Sequence, residues 1–311
     1  MKRISYILKY LFFILFLFSC TEKFPVDLPK NPGRIVIESL ISDNPGPYYV
    51  RLTKSTDILK VPTDTERWLN EFASPVFNAK VIISSSDGIV DTLKQWHYPS
   101  YYPESGDSLL GYYWTKKWTG NVGVRYFLDV YNEGKHYHAE ETMLPTISAD
   151  TCTFEFHKGD PGKFDGYLPI VHIKNSSNPT GYYWSIFSEG KSWYPNFDLF
   201  RSGIYSLFPA NQITDHFVGL YNLASPKFPY LIQHYFMGSP YGDTCVISIG
   251  SLSKTAYYFQ ASLLKQLVND GGSFKPAPAT PIGNISGDAL GLFQVSSVSN
   301  YIITKSPEPF K

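Results

Sequence analysis

Arg34-Ile35-Val36-Ile37-Glu38-Ser39-Leu40-Ile41 runs into Ser42-Asp43-Asn44-Pro45-Gly46-Pro47, and the chain leaves that cluster as Tyr48-Tyr49-Val50-Arg51-Leu52-Thr53. The first run is rich in β-branched and apolar residues, and the second collects the residue types that turn a backbone. In the third, Tyr48, Val50 and Leu52 fall on one face while Tyr49, Arg51 and Thr53 fall on the other, the period of two of a half-buried strand. Strand, turn and strand in this order predict β-structure.

Downstream the same pattern repeats. Ala79, Val81 and Ile83 alternate, and Asp87-Gly88 is a hairpin signal before Ile89 to Leu93. Tyr126, Leu128 and Val130 share a face, and Asn132-Glu133-Gly134 turns the chain into Lys135 to Met143. About seven short strands over about 110 residues, closed by Pro145, predict an immunoglobulin-like β-sandwich spanning 34–145. A second, β-rich domain is expected over 146–311, with strands at Thr151 to Phe156, Leu168 to Lys174, Gly181 to Phe187 and Val246 to Ile249. There the period changes once: Ala256, Phe259, Leu263 and Leu267, widened by Leu264, predict one helix near 253–269, with Ser251 or Ser253 as its cap and Gly271-Gly272 at its end. Prolines break residues 191–245 too often for assignment. Leu290 to Val298 is expected to return as a final strand. The fold class is mainly β.

The N-terminus carries an address. Lys2 and Arg3 precede an apolar run from Leu11 to Phe18, and Ser19 stands directly before Cys20. That order is a secretory signal over residues 1–19, and a small residue before cysteine is what lipoprotein processing requires. The run falls well short of the about 20 residues needed to cross a bilayer. Cys20 is therefore the expected lipidation site, and several acyl chains on one cysteine anchor a protein more firmly than one. Residues 20–33, with Pro25, Pro29, Pro32 and Gly33, read as a tether. The expected location is the outer membrane, lipid-anchored. Glu22 alone is acidic between Cys20 and Lys23, so both membrane faces stay open.

Composition narrows the partners. Lys plus Arg and Asp plus Glu both number 27, and no basic stripe interrupts the balance, which argues against nucleic acid. Rings are abundant, with 24 Tyr, 22 Phe and 6 Trp, a composition that suits strands and recognition surfaces. Beyond Cys20 only Cys152 and Cys245 remain, and in an oxidising compartment they make a disulfide or else two buried thiols; the bridge is the expectation here.

Chemistry-bearing motifs are missing. The sequence holds no G-x-S-x-G elbow, H-E-x-x-H helix, P-loop or dinucleotide glycine pattern. Glu140 and Glu141 are adjacent, so on a strand they face opposite ways and do not share one substrate. No enzyme and no cofactor is expected. His136 and His138 share a strand face that Glu140 continues, a start toward a metal site, but the sequence names no further ligand and such pairs arise by chance. No metal is expected.

Trp96 to Trp118 is the binding candidate. It holds Trp96, Tyr101, Tyr102, Trp114 and Trp118, punctuated by Pro99, Pro103, Gly106 and Gly111. Long loops inside sandwiches are commonly functional, and exposed Trp and Tyr dominate binding energy. The competing reading is that these rings pack inside the protein.

Several motifs together resemble one family. They are Ile35 to Asp43 with Gly46 to Leu52, Pro75-Val76-Phe77-Asn78-Ala79-Lys80-Val81 with Asp87-Gly88, Arg125-Tyr126-Phe127-Leu128 with Gly134-Lys135-His136-Tyr137, Gly181-Tyr182-Tyr183-Trp184, and Gly291-Leu292-Phe293-Gln294-Val295. In this order they are similar to a family of Bacteroidota outer-membrane lipoproteins with no assigned activity, a domain-of-unknown-function family. Asn78 stands where that family usually has glycine, and Asn178-Pro179 replaces its usual acidic residue. The resemblance implies a gene neighbourhood shared with TonB-dependent receptors. The expected function is a non-enzymatic lipoprotein beside such a transporter, capturing a ligand or capping the receptor. The alternative is a stand-alone surface module binding glycan or acting in adhesion, and the ligand in either case is a glycan or peptide.

Overall fold

The computed structural model describes residues 33–55, 74–95, 111–157, 166–173, 181–189, 204–213, 217–219, 245–268 and 280–303. Strands dominate. In chain order they are β1 (Ile35–Ser42), β2 (Tyr49–Lys54), β3 (Ser74–Pro75), β4 (Lys80–Ser85), β5 (Val90–Thr92), β6 (Lys94–Gln95), β7 (Tyr112–Trp114), β8 (Arg125–Asn132) and β9 (Lys135–Thr142). Then follow β10 (Ala149–His157), β11 (Gly166–Ile173), β12 (Tyr182–Glu189), β13 (Ile204–Pro209), β14 (Phe217–Gly219), β15 (Cys245–Leu252), helix α1 (Lys254–Val268), β16 (Leu290–Ser296) and β17 (Val298–Ile303). No helix among the described residues is long and apolar enough to cross a membrane.

Two sheets enclose the main core. The first runs β16-β1-β2-β7-β6, with β3 also on β2, and the second runs β5-β4-β8-β9. The alternation read in the sequence holds: Val50 and Leu52 turn inward with Ile37 and Ile41, and meet Val81, Ile83, Leu128 and Val130 of the other sheet in one buried cluster. Burying such side chains contributes about 1.5–3 kcal/mol each. Buried hydroxyls find partners. Tyr113 Oη donates to the Val76 carbonyl and accepts from the Ala79 amide, both at 3.0 Å. Tyr48 Oη lies 2.6 Å from the Ser42 carbonyl and accepts from Gly120 N at 3.2 Å. Burial pushes the Tyr48 hydroxyl up to about 12. The β8–β9 hairpin turns at Glu133 and Gly134, both at positive φ, which matches a two-residue hairpin turn.

The first sheet is completed from the far end of the chain. β16 pairs parallel with β1, placing Phe293 and Val295 in the main core. The sandwich therefore does not close within residues 34–145, and residues 33–311 form one compact unit. Gly291 makes this approach feasible: its φ is +112°, and a Cβ there would collide with the Ile37 carbonyl. The expected final strand is thus two strands, since β17 continues beyond β16 to pair with β15. Asp43, in the turn after β1, receives the Val298 amide at 2.7 Å and the Ser297 hydroxyl at 2.5 Å, fixing the step between them.

Two further sheets, β10-β11-β14 and β13-β12-β15-β17, take up the other described strands. β13 and β14 lie in the proline-interrupted stretch that the sequence did not resolve. Helix α1 packs where the sheets meet: Ala256 and Phe259 join Trp184, Leu252 and Leu292 in a second core. Trp184 lies on Gly250, whose lack of a side chain leaves room for the ring. Ser253 is the cap, its Oγ accepting the Ala256 amide at 3.1 Å.

Candidate functional site

Register across the first sheet builds the site. On the face turned away from the main core, Leu292, Glu38, Arg51 and Tyr112 stand in one row of directly opposed residues, and Gln294, Leu40, Tyr49 and Trp114 in the next. A row of this kind brings side chains from four strands within reach of each other. Helix α1 covers part of this face with Phe259, Gln260, Leu263 and Gln266, and Thr280 and Pro281 close one side. Between helix and sheet lies a cavity of about 360 Å³, within the size range of small-molecule sites.

Its polar centre is Arg51. The side chain is only 15% exposed, whereas its partner Glu38 is 48% exposed. Arg51 Nη1 donates to Glu38 Oε2 at 3.4 Å, and the guanidinium lies 5.4 Å from the centre of the Tyr112 ring. Arg51 Nε is shielded from water and meets no acceptor among the described residues. A partly exposed ion pair is worth about 0–1 kcal/mol, so stability gives little reason to hold a guanidinium here. Tyr49 and Tyr112 line the cavity, and Trp114 extends their aromatic cluster beyond it: Tyr49 is 5.2 Å from Tyr112 and 5.7 Å from Trp114, and Tyr112 stacks on Trp114 at 6.3 Å. Along the opposite wall Gln260 Nε2 donates to Gln294 Oε1, and Gln294 Nε2 to Ser296 Oγ at 2.9 Å.

The aromatic candidates from the sequence divide. Trp114 is half-buried on the same outer face, beside Tyr49 and Tyr112, but is not among the residues that line the cavity. Trp118 instead turns toward the main core, edge-on to Tyr48 at 4.7 Å and stacked on Tyr126 at 6.1 Å, with its indole N–H donated to Asp91 Oδ2 at 3.1 Å. Trp96, Tyr101 and Tyr102 lie outside the described residues, as does Cys20. Cys152 is on β10 and Cys245 opens β15; their side chains also lie outside what is described. Glu38 and Arg51 were not singled out by sequence reasoning, and Tyr112 only as one ring of the segment Trp96 to Trp118. The parity of Arg51 with Tyr49 was a usable signal, but the pairing of Arg51 with Glu38 needed the hairpin register.

His136 and His138 do share a face, and the residue they meet is Asp129 on β8. Asp129 Oδ1 lies 2.7 Å from His136 Nε2 and 2.9 Å from His138 Nδ1. Glu140 turns to Arg125, 3.8 Å away. Burial alone would raise the Asp129 carboxyl, but the bonds from His138 and His136 outweigh it and hold the group below its usual range. Glu141, on the opposite face, is pushed up by burial despite bonds from Ser253, the Thr142 amide and Asn284.

Fold and site together define a mainly β protein of several sheets whose single described α-helix roofs a cavity on the outer face of the first sheet. The chain belongs to the family described as a domain of unknown function (DUF4249), which matches residues 21–302. No curated protein matches it.

Proposed function

We propose that this chain is a non-enzymatic, lipid-anchored outer-membrane protein that works beside a TonB-dependent transporter and captures a ligand in the cavity under α1. The observation that carries the reading is Arg51, a largely shielded guanidinium whose Nε meets no acceptor among the described residues, in a cavity that mixes Tyr49, Tyr112, Phe259 and Leu263 with the polar side chains of Gln260, Gln266 and Gln294. Such a pocket suits a small ligand that offers an oxygen acceptor to Arg51 and a flat or apolar face to Tyr49 and Tyr112. Holding is the task this chemistry fits, since Arg51 and Glu38 engage each other at the cavity wall. The address rests on Lys2, Arg3, the apolar run and Ser19-Cys20, and on the similarity to Bacteroidota lipoproteins. The family match begins at residue 21, directly after Cys20, as expected if the segment before it is removed.

The second reading, a stand-alone surface module binding glycan, draws on the stacked rings of Tyr112 and Trp114, because sugar faces pack on such platforms. Purification of the tagged chain from gently solubilised outer membranes separates the two. Co-purification of a β-barrel receptor is expected under the first, with Cys20→Ala lost from the membrane fraction. Recovery of the anchored chain alone sinks the transporter reading and favours the second.

A further inference from the structure

We propose that Asp129, His136 and His138 form a binding site for a late first-row divalent metal ion of the zinc, nickel and copper group. This site is separate from the cavity under α1 and does not depend on what that cavity holds. It lies on the outer face of the second sheet, away from the main core that Tyr126, Leu128, Val130, Tyr137 and Ala139 enter from the same two strands.

The hairpin register sets the ligands. Asp129 is directly opposite His138, and His136 is opposite Tyr131 one step closer to the turn. Because side chains two apart on a strand share a face, both imidazoles reach the same carboxylate. Their donor atoms and Asp129 Oδ1 all lie within 4.8 Å of one another. A tetrahedral ion bound at about 2.0–2.2 Å to each ligand spaces its donors roughly 3.4 Å apart. The two short contacts to Oδ1, at 2.7 and 2.9 Å, must open and the wider spacings close toward that value. The metal takes the ring nitrogens that now face Oδ1, each of which must present its lone pair, with any proton there passing to the other ring nitrogen or to solvent.

The rings are also held in place. His136 stacks on Tyr131 at 4.4 Å with planes 6° apart, and His138 lies beside Phe127 at 6.3 Å. Fixed rings lose less freedom on binding than free surface histidines do. Two imidazole nitrogens and one carboxylate oxygen select the zinc, nickel and copper group over calcium or magnesium, which prefer all-oxygen shells. Three protein ligands leave a fourth position open on the exposed side for water or for an outside donor.

Titration of the full-length chain with Zn²⁺ and Ni²⁺ by calorimetry tests this, with Co²⁺ absorption as a readout of coordination geometry. One stoichiometric site with a tetrahedral Co²⁺ spectrum is expected. His136→Gln and His138→Gln should each weaken it at least about tenfold, the lower end of what even outer-shell partners are worth. Asp129→Asn should weaken it too, while Glu140→Gln, on the same face but turned to Arg125, should leave it unchanged. His136 and His138 are 47% and 42% exposed, so these variants should keep the wild-type circular dichroism. Absence of stoichiometric binding to the wild type overturns the proposal. So does undiminished binding by the folded His136→Gln/His138→Gln double variant, since the ion would then sit on other residues.

Discussion

Trp114 and Trp118 are four residues apart and do opposite jobs, and the difference is set by local backbone. Trp114 ends β7, where parity with Tyr112 puts it on the outer face. Beyond it the chain leaves the strand, and Trp118 swings inward onto Tyr48 and Tyr126. Its indole N–H also helps to satisfy Asp91, which is buried. Trp118 is partly buried against the core, so Trp118→Ala should lower stability by about 3 kcal/mol, the low end of the cost of deleting a packed aromatic ring. Trp114→Ala, on the outer face and not packed against the main core, should cost clearly less. Urea unfolding of both variants checks this, and equal losses would contradict the assignment. The sequence told that rings gather here, but not which way each points. Glycine and proline interrupt residues 96–111, so the period-two rule that worked at Tyr48 to Thr53 could not be carried through to Trp118.

At the scale of elements, helix α1 was legible and its attachment was not. Spacing of Ala256, Phe259 and Leu263 predicted the helix, and Ser253 was one of two cap candidates because a hydroxyl there can take a first-turn amide. The cap has a second partner 112 residues away: its hydroxyl donates to Glu141 Oε2 at 2.6 Å, at the end of β9. Glu141 Oε1 takes the Thr142 amide at 3.1 Å. Despite these bonds, burial keeps the Glu141 carboxyl above its ordinary value of 4.5. The folded chain then holds a proton that the unfolded chain has released, over the interval from the ordinary carboxylate range up to the raised value. Its contribution to stability is full below the unfolded value and falls as pH rises through the folded one. Glu141→Gln removes this titration. The stability of the variant relative to wild type should rise across that interval and level off above it. Paired urea titrations at several pH values read the difference directly, and a constant difference would refute the linkage.

For the molecule as a whole, the decisive contact is β16 on β1. The apolar run Leu290 to Val295 could be read as a strand, but Gly291 to Ser296 are all buried, so no alternation said which sheet it joins. Nor does any local signal mark a parallel partner about 250 residues upstream, since parallel pairing has no connecting turn to betray it. The segment 34–145 carries most of a sandwich and reads as complete. Without β16 it lacks Phe293 and Val295, 0% and 2% exposed, and leaves the whole edge of β1 unpaired. The two side chains alone contribute about 3–6 kcal/mol of burial, against a total stability of about 5–15 kcal/mol for a typical domain. The isolated fragment 34–145 should therefore fail to unfold cooperatively and should aggregate through the open β1 edge. Thermal melts followed by near-ultraviolet circular dichroism test this against the full chain. Fusing residues 280–303 to the fragment through a flexible linker should restore part of the transition. The same fusion with Gly291→Val should not, because a side chain at that position meets the Ile37 carbonyl and prevents β16 from seating. A cooperative melt from the bare fragment would mean that the first sheet is stable without its last strand, and the dependence on β16 would be wrong.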